Sequence, residues 1–187
     1  MKTQKSLSQP VFWVALVTLL ILCVPFVAMQ FTDEVKWGIA DFIIMGILIF
    51  GAGFSYVLIT RSSSNIIHKA AVSLAIGSTL LLIWANLAVG LIGSGPNVAN
   101  LMYIGVVAIV IAGTFLSNFS AKGMERVMFT SAFALALFIV IQLLGKMYQY
   151  PGSSIIEVIG INSFFATLFA ISGCLFRYIG IKHSPSV

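Results

Sequence analysis

The feature that most constrains this chain is a rhythm. Stretches of about twenty residues with almost no charge alternate with short polar connections from one end to the other. An α-helix rises about 1.5 Å per residue, so twenty residues match a hydrocarbon layer of about 30 Å. Backbone groups have no water to bond to in lipid, so such stretches must pair their own N–H and C=O groups as helices. A transmembrane barrel would instead show segments of about ten residues with strict alternation. Runs such as Leu80-Leu81-Leu82-Ile83 and Ile109-Val110-Ile111 do not alternate.

Composition agrees. Of the 187 residues, 60% are hydrophobic and 8% charged, against roughly 25% charged in a soluble domain. Too few charges remain to cover a water-facing surface. The net charge of +5 does not point to nucleic acid, because the basic residues stand singly near helix ends and never form a run. They fit topology and contact with lipid headgroups.

The apolar blocks cover residues Val11–Gln30, Gly38–Thr60, Ala70–Ile92, Asn97–Ser117, Arg126–Gly145 and Glu157–Gly180. The first follows Lys2 and Lys5, as a secretory signal would. It is longer than a signal core, however, and Val27-Ala28-Met29 lacks a small-x-small cleavage site. It reads as an uncleaved span, with Pro25 expected to kink it. Short connections make sequential helices antiparallel neighbours and leave no room for a soluble domain. The expected fold is therefore all-α, a polytopic transmembrane helix bundle of about six spans in a single domain.

Orientation follows from Lys and Arg. With the N-terminus in the cytoplasm, Lys2, Lys5, Arg61, Lys69, Lys122, Arg126, Arg177 and Lys182 lie inside, and only Lys36 and Lys146 outside. Both termini are then cytoplasmic. Small residues four apart (Ala71/Ala75, Ala108/Ala112, Ala132/Ala136 and Ala166/Ala170) are candidate sites of close helix approach.

Much chemistry is missing. His68 and His183 are the two histidines, both expected in cytoplasmic segments outside the spans. No HExxH, paired CxxC or aspartate cluster offers a metal site, and no cofactor is expected. Cys23 is roughly 18 Å into its span and Cys174 within roughly 10 Å of the cytoplasmic end of the sixth. That difference in depth argues against a disulfide, and both read as small packing residues. Gly93-Ser94-Gly95 lacks the glycine that an intramembrane protease needs at position 92, and no intramembrane histidine can serve as base. As a phosphate cradle the same turn lacks a Lys-Ser/Thr ending. Asn118-Phe119-Ser120 matches a glycosylation sequon on the cytoplasmic side, where it has no use.

What remains is a polar collar toward the outer face: Asp41, Asn86, Asn97, Asn100, Gln142, Glu157 and Asn162. Amides and acids inside spans are costly and tend to face the bundle or a wet cavity. Two readings stand side by side. In one, these residues are interfacial helix caps, with Asn97 or Asn100 opening the fourth helix and Glu157 favouring the start of the sixth. Trp37, Trp84, Tyr103, Tyr148 and Tyr150 are then an aromatic belt. In the other, Asp41, Asn86, Asn100 and Glu157 line an outward-facing vestibule that binds a cation, a proton or a small polar solute. Asp41 is its leading residue, as the acid deepest in a span. Asp33 and Glu34 precede the second helix and would favour its dipole, with a cation contact as the lesser reading.

Val27-Ala28-Met29-Gln30-Phe31-Thr32-Asp33-Glu34-Val35 with Trp37 and Asp41-Phe42, Trp84-Ala85-Asn86-Leu87-Ala88-Val89-Gly90 with Ile92-Gly93-Ser94, and Asn97-Val98-Ala99-Asn100-Leu101-Met102-Tyr103 carry a resemblance. They are similar to a group of small, uncharacterised bacterial inner-membrane proteins, over roughly residues 20–145. The resemblance implies a bacterial inner membrane and carries no activity. Acidic residues in that group's loop after the third span give way here to Gly95-Pro96, so an acid there is not required.

The expected function is non-enzymatic: a structural, accessory or assembly subunit in contact with the lipid bilayer, as a homo-oligomer or with a partner membrane protein. The alternative is a small transporter or channel whose entrance is the polar collar. An enzyme acting on lipid would need Asp41 or Glu157 as a lone acid/base, which is chemically thin.

Overall fold

In a computed structural model, residues 7–61, 63–93 and 97–182 are described. Lys2, Lys5, Ser94, Gly95, Pro96, His183 and the rest of the tail fall outside them. Six helices form: α1 (Ser8–Phe31), α2 (Ile39–Thr60), α3 (Ile66–Ala88), α4 (Met102–Leu116), α5 (Ala121–Leu144) and α6 (Ile155–Lys182). A 3₁₀ turn, Val98–Leu101, leads straight into α4, and all six segments are long and apolar enough to cross a membrane.

Several helices extend past their apolar blocks because side chains cap their first turns. Asn65 Oδ1 accepts the backbone N–H of Ile67 at 2.9 Å and of His68 at 3.4 Å, so α3 begins four residues before Ala70. His68, expected outside the spans, therefore sits in the first turn of α3, its ring edge-on to Phe176. Ser120 Oγ accepts from Gly123 N–H and starts α5 five residues before Arg126. At the other end, α3 stops at Ala88 rather than Ile92. Gly90, two residues on, takes φ +71°, a left-handed conformation that ends a helix and suits glycine. Pro25 lies inside α1, which continues through it to Phe31.

Although the connection lengths predict one domain, the backbone groups into two compact units, Met1–Ser62 and Ser63–Val187. In the first, α1 and α2 pack on each other. Glycine makes their approach close: a Cβ on Gly53 would fall 2.8 Å from Val14 Cγ1, and one on Gly46 would fall 3.4 Å from Leu22 Cδ1. Phe26 and Phe42 meet edge to face between these two helices.

The second unit is a four-helix ring in which α3 touches α4, α4 touches α5, α5 touches α6 and α6 returns to α3. Its neighbours run antiparallel. Ser172, late in α6, donates to the Ala71 carbonyl early in α3 at 2.9 Å, and Asn162, early in α6, bonds Gln142, late in α5. Val72, Leu82, Val106, Met128, Leu135, Phe169 and Phe176 fill the interior. Of the alanine pairs, only Ala71/Ala75 is buried on both members, while Ala108 and Ala112 are exposed. Close approach falls instead to Gly113, whose added Cβ would meet Val127 Cγ2 at 2.7 Å, and to Gly173, against Met128 and Phe129 at 3.3 Å. Cys23 and Cys174 are free and exposed rather than packed.

Gly105, in α4, is a contrasting case: an added Cβ would meet nothing within 4 Å. Gly105→Ala should thus raise stability by about 0.5–1 kcal/mol, the helix-propensity difference alone. A lower unfolding midpoint in detergent would mean this face of α4 is covered in the native protein.

Candidate functional site

At the end of the four-helix unit where α3 and α5 finish and α4 and α6 begin, several amide side chains come together. Asn100, in the 3₁₀ turn before α4, folds back onto the end of the preceding connection. Its Oδ1 accepts the N–H groups of Leu91 at 2.9 Å and Ile92 at 2.8 Å, and its Nδ2 donates to the Ile92 carbonyl at 3.1 Å. One amide thus satisfies three backbone groups of a connection with no regular structure of its own. Asn86 Nδ2, near the end of α3, donates to the Asn100 carbonyl at 3.2 Å. Asn97 caps the 3₁₀ turn, accepting from Ala99 N–H. Gly93, with φ +73°, donates its N–H to Ser153 Oγ at 2.7 Å and so ties this connection to the one before α6.

Deeper in the same end, three buried side chains close a ring. Tyr103 OH donates to Asn162 Oδ1 at 3.2 Å, Asn162 Nδ2 donates to Gln142 Oε1 at 3.1 Å, and Gln142 Nε2 donates back to Tyr103 OH at 3.2 Å. The remaining protons are also placed, Asn162 Nδ2 on the Val158 carbonyl at 2.7 Å and Gln142 Nε2 near Met102 Sδ at 3.6 Å. Asn162 and Gln142 are fully buried and Tyr103 nearly so. The donors all run one way around the ring, an arrangement in which each bond polarises the next. It links α4, α5 and α6 and fixes their rotation and depth.

The four sequence-selected site residues have different places. Asn86 and Asn100 are brought together. Glu157 is exposed in the first turn of α6, where its N–H donates to Ser154 Oγ at 3.1 Å, the start of a capping arrangement. Asp41 belongs to the two-helix unit. Its Oδ2 accepts the Gly38 N–H at 2.7 Å, and it is exposed in the first turn of α2. Asp33 and Glu34 are exposed and stand several residues before the start of that helix. Gln142 and Asn162 were visible in the sequence as part of the collar and Tyr103 as a member of the aromatic belt; the structure buries all three and joins them in one network.

Beside this network lies an open groove of about 750 Å³ between the end of α3 and the start of α4. Leu82, Leu87, Val98, Leu101 and Ile104 supply its apolar wall, and Asn86, Asn97 and Asn100 its polar edge. Among the described residues, none of the side chains that line it is charged. Asn86 Oδ1 is buried and has no hydrogen-bond partner among the described residues, an unusual condition for a buried amide oxygen. Among the described residues no three His, Cys, Asp or Glu side chains cluster as a metal site would require.

The structural role of Asn100 predicts a specific failure. Asn100→Ala would strand the N–H groups of Leu91 and Ile92, both buried, at about 1–3 kcal/mol for the pair after partial relaxation. Limited proteolysis should then cut near residues 89–97 while the six helices remain protected. Wild-type resistance in the variant would show that the connection is held by something else.

Comparison with family models, with curated proteins and with solved structures finds no match to this chain.

Proposed function

We propose that this protein is a six-span integral membrane protein of a bacterial inner membrane, with both termini in the cytoplasm, acting as a non-enzymatic structural or accessory subunit. The observation that carries this reading is the closed Tyr103–Gln142–Asn162 ring. Two buried amides and a buried hydroxyl of the bundle are spent on one another, holding helices in register, rather than presented to a solute. The Lys and Arg distribution supports the orientation. A bilayer and a homo-oligomeric or partner membrane protein are the contacts such a subunit makes.

The alternative, a small transporter with an outward vestibule, draws on the groove edged by Asn86 and Asn100. Purified protein in liposomes, with proton, sodium and potassium flux measured across the membrane, separates the two. The accessory reading expects no flux above protein-free vesicles and no effect of Asp41→Asn, since an asparagine oxygen still accepts the Gly38 N–H. Flux that Asp41→Asn or Asn86→Leu abolishes would overturn it in favour of transport. Orientation is tested by cysteine labelling after Cys23 and Cys174 are replaced. A thiol placed at Lys146 should react with an impermeant reagent from outside, and one at Lys122 should not.

A further inference from the structure

We propose that the turn between α4 and α5, together with the first turns of α5, is a docking site for an anionic phospholipid of the leaflet at that end of the bundle. The inference rests on the six-span reading and deepens it by naming the lipid class that this end recognises.

Charge is unevenly placed in the four-helix unit. At the end where α3 and α5 begin and α6 finishes stand Lys69, Lys122, Arg126, Arg177 and Lys182, with Glu125 as the acid among them. At the opposite end the described residues carry Lys146 and Glu157, which cancel. Glu125 is itself engaged, with Arg177 Nε 3.9 Å from its Oε1. Lys122 and Arg126, exposed and four residues apart on one face of α5, make no ion pair among the described residues. A zwitterionic head would bring an ammonium group here with no free carboxylate to meet it. A net anionic head brings no such group, and its attraction grows with each Lys or Arg near the surface.

The turn holds apolar side chains outward at the same end. Phe115, Leu116 and Phe119 are exposed, and the rings of Phe115 and Phe119 meet edge to face at 5.8 Å. Phe119 is kept there with φ +57°, a left-handed conformation that a bulky side chain rarely adopts. Its N–H donates to the Thr114 carbonyl at 3.4 Å, and the Ser120 N–H to the Ser117 carbonyl at 3.0 Å. A Cβ on Gly123 would overlap Ser117, so the start of α5 is pressed against the end of α4. A soluble anion would leave these three apolar side chains in water. A leaflet offers them acyl chains and offers phosphate to Lys122 and Arg126 at once.

The experiment uses the full chain carrying Trp13→Phe, Trp37→Phe, Trp84→Phe and Phe119→Trp, reconstituted in phosphatidylcholine vesicles. Phosphatidylglycerol or phosphatidylcholine, brominated near the glycerol end of an acyl chain, is titrated and tryptophan quenching is read. Half-quenching is expected at about a tenfold lower mole fraction of the phosphatidylglycerol. Lys122→Gln with Arg126→Gln should bring the two lipids level. Lys36→Gln with Lys146→Gln, an equal loss of charge elsewhere, should not. Glu125→Gln frees Arg177 and removes the acid, so it should widen the preference about threefold, a gain that misfolding does not produce. Equal quenching by the two lipids without these charge changes would overturn the site, as would a preference that Glu125→Gln leaves unchanged or narrows. Inorganic phosphate replacing chloride at equal ionic strength should leave the preference intact. If phosphate abolishes it, the site takes a soluble anion and the lipid is overturned. A chain with only Trp13→Phe and Trp37→Phe reports the six-span reading separately through Trp84, half-exposed on α3. Quenching of Trp84 with none at position 119 would overturn the site alone, and quenching at neither would overturn both.

Discussion

Asn162→Leu, which keeps the branched shape and heavy-atom count of the side chain, is expected to lower the stability of the detergent-solubilised protein by about 2 kcal/mol. The leucine leaves Tyr103 OH without its acceptor and Gln142 Oε1 without its donor, both inside the bundle. Stranding a buried polar group costs about 1–3 kcal/mol. Polar pairs between helices in lipid average nearer 0.6 kcal/mol and reach about 1.7, because the separated helices find other partners. Two stranded groups in one ring place the expectation between these scales. The diagnostic is the cycle rather than the single value. Tyr103→Phe breaks the same ring, so Asn162→Leu with Tyr103→Phe should cost clearly less than the two costs added. Reversible unfolding of the four proteins measures this. Strict additivity would mean the three side chains do not act as one unit.

Gly113→Leu should be at least as damaging, by about 3 kcal/mol, through the opposite mechanism. Even a single Cβ at this position would lie 2.7 Å from Val127 Cγ2 and 3.0 Å from Cγ1. Valine has essentially one side-chain rotamer in a helix, so it cannot swing aside and α4 and α5 must separate. Gly113→Ala should show a smaller loss in the same direction. Val127→Ala, which removes both crowding methyls, should restore most of the stability of the Gly113→Ala variant. If Val127→Ala gives no recovery, the contact between these helices is not where the structure places it. Together with Gly105→Ala, the series tests whether α4 uses one face for the bundle and another for its surroundings.

The six helices were legible because hydropathy is a local property: each apolar block carries its own signal and needs no knowledge of its neighbours. Helix ends were less legible. Asn65, Ser120 and Ser154 are ordinary capping residues standing before apolar runs, but the charges that follow, Lys69, Lys122 and Arg126, mask the helix in a hydropathy profile. The division into two units was out of reach, because connection length says which helices are consecutive and not how extensively they pack. At the polar end, Asn86 and Asn100 stood out as amides in apolar surroundings. Their pairing through a backbone carbonyl, and the ring of Tyr103, Gln142 and Asn162, depend on how three helices are rotated about their axes. Helices apolar on every side carry little information about rotation. Asp41 and Glu157 drew attention because acids are the costliest groups in lipid. Both lie in first turns, where a carboxylate is favoured by the helix dipole and the exposed N–H groups.

The ring also bears on how such a chain is made. Its members are spread over positions 103, 142 and 162, so synthesis delivers them one at a time. On the proposed topology, α4 and α5 enter the bilayer with the Tyr103–Gln142 bond available but the Gln142 carbonyl and the Tyr103 proton still unclaimed. They stay so until α6 arrives. A chain cut short before residue 162 therefore carries an uncompensated polar spot that the finished protein hides. On that topology the last span completes the bundle: its arrival turns two unpaired groups of the earlier helices into the fastening that closes it.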